Sequence, residues 1–116
     1  MTLFARLFSL VLFTLLLASC ASTPADAVWI DVRTEAEYAD DHIDGDSNIP
    51  LATIDAEALA ARYGKDAPIN LYCRSGNRAG QAKEILEAAG FTNVSNVGGI
   101  NDVRELRNIS QSSAAN

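Results

Sequence analysis

Four short extended runs, each separated from the next by a stretch that suits a helix, constrain this chain more than any other feature. "VWIDV" at 28–32 is β-branched and aromatic, and "SNIPL" at 47–51 is a brief extended piece ending at Pro50. "PINLYC" contains an extended run from Ile69 to Cys73, and "FTNVSNVGGI" supplies a further short strand and a glycine turn. Between them, "TEAEYADD" opens with Thr34 and Glu37 at the spacing of a capping box, which predicts a short helix. "TIDAEALAARYG" reads as a helix closed by Gly64. From Arg78 to Ala89 the apolar residues Ala82, Ile85, Leu86 and Ala89 follow the i, i+3, i+4, i+7 pattern of one helical face, and Gly90 ends it. "NDVRELRNIS" suits a last helix and "QSSAAN" a frayed tail. Strands alternating with helices predict an α/β fold with a mainly parallel central sheet and helices on both faces. In such sheets ligands bind beyond the carboxyl ends of the strands, and Cys73 is expected at one of those ends.

The first twenty residues, "MTLFARLFSLVLFTLLLASC", stand outside this pattern. One cation, Arg6, precedes an uncharged apolar run of about 11 residues, shorter than the roughly 20 that cross a bilayer, so the segment reads as a signal peptide. Its end, "LASC", resembles the bacterial lipobox, in which the chain is cut before the cysteine and a lipid is attached to the sulfur. The alternative is an ordinary secretory signal cut at another small residue. The organisation expected is a lipoprotein signal at 1–19, a tether at 20–27 beginning with lipidated Cys20, a folded domain at 28–108 and a disordered tail at 109–116. No internal repeat is visible, and the length suits one domain.

The chain carries 9 Lys and Arg against 15 Asp and Glu, a net charge of −6, and loss of Arg6 with the signal makes it more acidic. That balance argues against nucleic acid or an anionic bilayer surface as partner, because both need a basic face. It also makes a local pair of arginines conspicuous. With Cys20 lipidated, Cys73 is the only thiol of an exported domain, so no internal disulfide forms and the thiol is flagged as reactive.

The stretch "YCRSGNR", 72–78, predicts that Cys73 closes a strand, a short loop turns, and a helix begins near Arg78. Backbone amides of such a loop converge on one point and the helix dipole adds partial positive charge, an environment that favours thiolate. Gly76 suits a turn that needs an unusual backbone conformation. Arg74 and Arg78 are donors for an oxyanion such as thiosulfate or sulfite. A cation at a helix N-terminus opposes the dipole, so a bound anion is the expected compensation for Arg78. The plainer readings are that Cys73 is a small buried hydrophobe and the arginines are solvated. His42, the sole histidine, tempts as a general base, and Asp31 and Arg33 read as scaffold, with Arg33 expected to pair with Glu37. One histidine and one free thiol fall short of a zinc site, and no cofactor is expected.

These residues resemble the single-domain rhodaneses, the thiosulfate sulfurtransferases, and especially the small periplasmic members of the phage-shock group. The matching stretches are "WIDVR" at 29–33, "EY" at 37–38, "HIDG" then "NIP" within 42–50, "YC" at 72–73, "GQAKEIL" at 80–86 and "GG" at 98–99. The ordered set covers nearly the whole domain. The resemblance implies a rhodanese-like fold and a ping-pong reaction. Cys73 thiolate takes the sulfane sulfur of thiosulfate or another donor, holds it as a persulfide, and passes it to cyanide or a thiol acceptor. Cys73 is then catalytic, and Arg74, Ser75, Gly76, Asn77 and Arg78 form the substrate-binding loop whose amides stabilise thiolate and persulfide. The resemblance also implies a structural role for His42.

Related phosphatases and arsenate reductases on this fold have five residues between the cysteine and the closing arginine. Here there are four, which implies a tighter cradle suited to sulfur, and Tyr72 stands where classical cysteine phosphatases place a histidine. Two departures bear on the site. Asp41 and Asp46 replace a glycine and an alanine and are expected to add negative charge near the anion entrance, and the tryptophan common beyond the double glycine is missing. The expected address is the periplasm, lipid-anchored, with the outer membrane favoured because Ala21 is not the aspartate that retains lipoproteins at the inner one. A non-catalytic module that binds anions or senses oxidants through Cys73 is the second reading.

Overall fold

A computed structural model of the chain describes residues 27–109. The expected signal, the expected lipidation site at Cys20 and nearly all of the expected tether and tail lie outside the described residues. Four strands, β1 (Val28–Asp31), β2 (Ser47–Asn48), β3 (Ile69–Cys73) and β4 (Val94–Gly99), alternate with four helices, α1 (Glu35–Asp40), α2 (Ala56–Tyr63), α3 (Asn77–Ala88) and α4 (Ile100–Leu106). The sheet runs in the order β2-β1-β3-β4, and every pairing is parallel.

Alternation along the strands divides the core between the two faces. Ile30, Val32, Ile69, Leu71 and Cys73 face α2 and α3, where Leu59, Ala79, Ala82 and Leu86 complete one cluster. Tyr72 faces the other way, where Ile43, Ile100 and Val103 bury it against Trp29 and Val97. The α/β architecture with helices on both faces is thus the observed one.

Local chemistry places the elements. Thr34 caps α1 by accepting the Glu37 amide at 3.2 Å, and the Glu37 carboxylate accepts the Thr34 amide at 3.3 Å, the capping box read from sequence. The second helix starts later than its sequence suggests. Leu51–Thr53 form a separate 3-10 turn, Ile54 is extended, and Asp55 caps α2 by accepting the Ala58 amide at 3.0 Å. Along α3 the buried residues are Ala79, Ala82 and Leu86, whereas Ile85 is 44% exposed. Ala82, Leu86 and the partly buried Ala89 of the expected stripe do pack on the core, and Ala79 takes the place expected of Ile85.

A one-residue bulge separates the pairings Leu71 with Asn96 and Tyr72 with Gly98, so Val97 is the extra residue. Its effect is to bend the end of β4 toward the loop after β3.

Candidate active site

The loop between β3 and α3 is built as a cradle around one sulfur atom. Cys73 ends β3, and Gly76 has φ of 95°, a left-handed conformation that turns the chain back so that its amide donates to Cys73 Sγ at 2.9 Å. Cys73 is 1% exposed, and that burial pushes the thiol pKa up. The amides of Ala79, Ser75, Gly76 and Arg78, which favour the anion, outweigh it and leave the thiol below its ordinary value. Cys73 is therefore packed among aliphatic side chains on one side and ringed by N–H donors on the other. A cysteine serving only as core filler has no need of that ring.

Asn96 and the double glycine hold the cradle from behind. Asn96 donates to the Gly76 carbonyl at 2.8 Å and accepts the Gly98 amide at 2.9 Å. Gly99, paired with Cys73 in the sheet, lies against the backbone carbonyl of Arg74, and a β-carbon at Gly99 would overlap that oxygen. Asp102 closes the arrangement by accepting the Gly99 amide at 2.8 Å.

The loop residues named from sequence are brought together, but the two arginines are in different states. Arg74, Ser75 and Asn77 are exposed at the rim. Arg78 is largely buried and its two terminal nitrogens donate to the two carboxylate oxygens of Glu37 at 2.6 and 3.0 Å. The anion that compensates Arg78 is thus a side chain of α1. The Arg78 guanidinium holds the Glu37 carboxyl at a pKa of about 2, and Glu37 in turn raises Arg78.

That pairing corrects the expected partner of Arg33. Arg33 instead forks onto the carboxylate of Asp31 with contacts of 2.8 to 3.0 Å, both side chains being buried, and also donates to the Asp41 carbonyl. The two aspartates expected to burden the anion entrance are also neutralised. Arg104 of α4 binds both oxygens of Asp41 at 2.6 and 2.9 Å, which keeps the Asp41 carboxyl below its usual pKa. Asp46 accepts from the Tyr72 hydroxyl at 2.6 Å and from Arg107 at 2.8 Å. Arg107 also lies 4.4 Å over the Trp29 ring. Burial, first, and the Asp46 contact push the Tyr72 phenol far up, so it stays a neutral donor.

His42 is tied to the end of α1 and to its own loop. It stacks on Tyr38 at 4.2 Å, its Nδ1 lies 2.8 Å from the Tyr38 carbonyl and its Nε2 lies 3.1 Å from Asp44. Among the described residues no three His, Cys, Asp or Glu side chains come together as metal ligands would.

Sequence reasoning missed Glu37 as a partner of the loop, along with Asn96 and Asp102. Glu37 carried a signal, but the capping box already accounted for it. Asn96 carried none, because its contact with Gly76 is made only in the folded sheet, whereas Asp102 stands three residues after Gly99 at a capping position of α4, a local spacing that could have been read.

A family model described as a rhodanese-like domain matches residues 16–106. The thiosulfate sulfurtransferase PspE of Escherichia coli is 41% identical over 91 residues, which span 77% of this chain and 88% of that protein. Among solved structures, a rhodanese with anions from E. coli is similar with a TM-score of 0.60 at 41% identity, over 66% of this chain and 91% of that one. A rhodanese-like domain protein from Staphylococcus aureus is similar with a TM-score of 0.58 at 28% identity, over 75% and 82% of the two chains.

Proposed function

Because the chain belongs to the rhodanese-like domain family, we propose that it is a sulfurtransferase that takes sulfane sulfur from thiosulfate onto Cys73 and passes it to cyanide or a thiol. In the first half-reaction the Cys73 thiolate attacks the outer sulfur of thiosulfate. The new S–S bond takes its electrons from the thiolate, and the old S–S bond leaves with its pair on sulfite. In the second half-reaction cyanide or a thiolate attacks the outer persulfide sulfur, giving thiocyanate or a new persulfide and restoring the thiolate.

The observation that carries this reading is the ring of amides from Ser75, Gly76, Arg78 and Ala79 around Cys73. The same donors that favour the thiolate before transfer are available to the persulfide anion after it. Burial of the sulfur matters as well. With Cys73 1% exposed, the loop around it governs the donor's approach, and Arg74, exposed on that loop, is read as the group that meets the anionic end of the donor.

Intact mass of the reduced full chain, before and after thiosulfate and then after cyanide, tests the reading. A gain of one sulfur atom, lost to cyanide as thiocyanate and absent in Cys73→Ser, is the expected result. No gain from a thiol that still reacts with an alkylating agent would leave the anion-binding or oxidant-sensing module as the reading.

The same proposal includes an address. Residues 1–19 are read as a lipoprotein signal and Cys20 as the lipidated residue, which anchors the domain at a membrane facing the periplasm, on the outer membrane where there are two. Incorporation of labelled palmitate, lost in Cys20→Ser, is the expected outcome, and unchanged labelling would remove the anchor.

A further inference from the structure

Resting on the sulfur-transfer reading above, we propose that Glu37 is a positioning residue of the Cys73 site. By holding both terminal nitrogens of Arg78 it withdraws one of the loop's two guanidinium groups from the sulfur donor and leaves Arg74 to grip that donor alone. Glu37 acts through Arg78, and its consequence is the amount of negative charge the site accepts.

Glu37 is held from two sides. Its Oε1 accepts from the Thr34 amide at 3.3 Å and the Thr34 hydroxyl at 3.1 Å, while Arg78 takes both oxygens from across the site. The capping box that starts α1 therefore also aims a carboxylate at the start of α3, forty-one residues later in the chain. Both side chains of the pair are about three-quarters buried, at 29% and 25% exposure, so water screens their contact only in part.

The rest of the charge around the loop leaves no substitute for either partner. Asp31 is taken by Arg33, Asp41 by Arg104, and Asp46 by Arg107, while Asp102 accepts the Gly99 amide. Arg74 is exposed and carries no ion-pair partner among the described residues. A donor arriving at Cys73 thus meets one uncompensated guanidinium, the loop dipoles, and an Arg78–Glu37 pair whose net charge is zero.

Coulomb energy scales with the charge of the donor, so the carboxylate of Glu37 penalises a dianion twice as much, in free energy, as a monoanion in the same place. A residue that merely braces the loop has no such dependence. Thiosulfate and benzenethiosulfonate form a suitable pair of probes, since both deliver one sulfane sulfur to the thiolate. The first is a dianion that leaves as sulfite and the second a monoanion that leaves as benzenesulfinate.

The experiment compares the full chain with Glu37→Gln, a replacement that keeps the shape and an acceptor for Arg78 and Thr34 but removes the charge. With cyanide as acceptor, KM for thiosulfate is expected to fall about fivefold and KM for benzenethiosulfonate about twofold, with the difference shrinking in high salt. The gain vanishes in Glu37→Gln combined with Arg78→Ala. Alkylation by iodoacetamide, which is uncharged, is followed against pH, and its midpoint moves down in Glu37→Gln because an uncompensated Arg78 favours the thiolate.

Equal changes in KM for the two donors, a rise in KM, or an upward move of the alkylation midpoint would overturn the proposal and make Glu37 a brace. If the unaltered chain takes sulfur from neither donor, it is the sulfur-transfer reading that fails. The alkylation midpoint then still decides whether Glu37 governs the charge at Cys73.

Discussion

Cys73 combines two properties that oppose each other in most proteins, near-complete burial and a lowered thiol pKa. Amides resolve the conflict because they are fixed dipoles, already oriented by β3, Gly76 and α3, and need no mobile counter-charge to be buried with the sulfur. Replacement of Cys73 by serine keeps the size and is expected to abolish sulfur transfer. The circular dichroism spectrum should stay unchanged, and retained turnover would remove Cys73 from the chemistry. Gly99 is the residue behind the cradle with least room, since its added β-carbon meets the Arg74 carbonyl. Gly99→Ala is expected to cost about 1–3 kcal/mol in urea unfolding and to raise the midpoint of Cys73 alkylation as the loop is pushed open. A variant with unaltered stability and midpoint would show that the loop position does not depend on that approach.

Helix α3 shows how periodicity located the element and most of its buried face but misassigned Ile85. The apolar set Ala82, Ile85, Leu86 and Ala89 satisfies a helical stripe, yet the sheet covers Ala79, Ala82 and Leu86 and leaves Ile85 half in water. Leu86→Ala should therefore cost about 2–5 kcal/mol and Ile85→Ala less than about 1 kcal/mol, both read from urea midpoints; similar losses would put Ile85 in the core. The bond between α1 and α3 has its own pH signature. Glu37 sits at a pKa of about 2 against an ordinary 4.5, held chiefly by the Arg78 hydrogen bond. A carboxyl with a lowered folded pKa stabilises fully above its unfolded value and loses that contribution as pH falls through the folded one. Stability should thus decline between about pH 4.5 and about pH 2, more steeply in the native chain than in Glu37→Gln. Parallel acid-unfolding curves for the two would mean that the pair contributes nothing.

At the scale of the molecule, an acidic chain turns four of its arginines onto its own carboxylates. Arg33, Arg78, Arg104 and Arg107 each hold a carboxylate, and two of these contacts fasten α4 to the loop that carries Asp41 and Asp46. Arg104 is only 4% exposed, and Arg104→Ala is expected to cost about 1–3 kcal/mol in urea unfolding, chiefly through the lost packing of its buried side chain, because the Asp41 carboxylate it leaves behind is 38% exposed. A loss under about 0.5 kcal/mol would show that the contact is no stronger than a surface pair. The sequence by itself determined the alternation of strands and helices, the Thr34 capping box, the position of Cys73 at a strand end and the loop that follows it. Each of these is set by neighbours within a few residues, through side-chain period, capping chemistry and the conformational freedom of glycine. Only the tertiary structure decided that Glu37 belongs to Arg78, that Arg33 belongs to Asp31, and that Asp41 and Asp46 are neutralised from α4 and from Arg107 just beyond it. Charges pair by distance, and the packing of α1, α3 and α4 around the sheet sets which oppositely charged groups end within about 3 Å of one another.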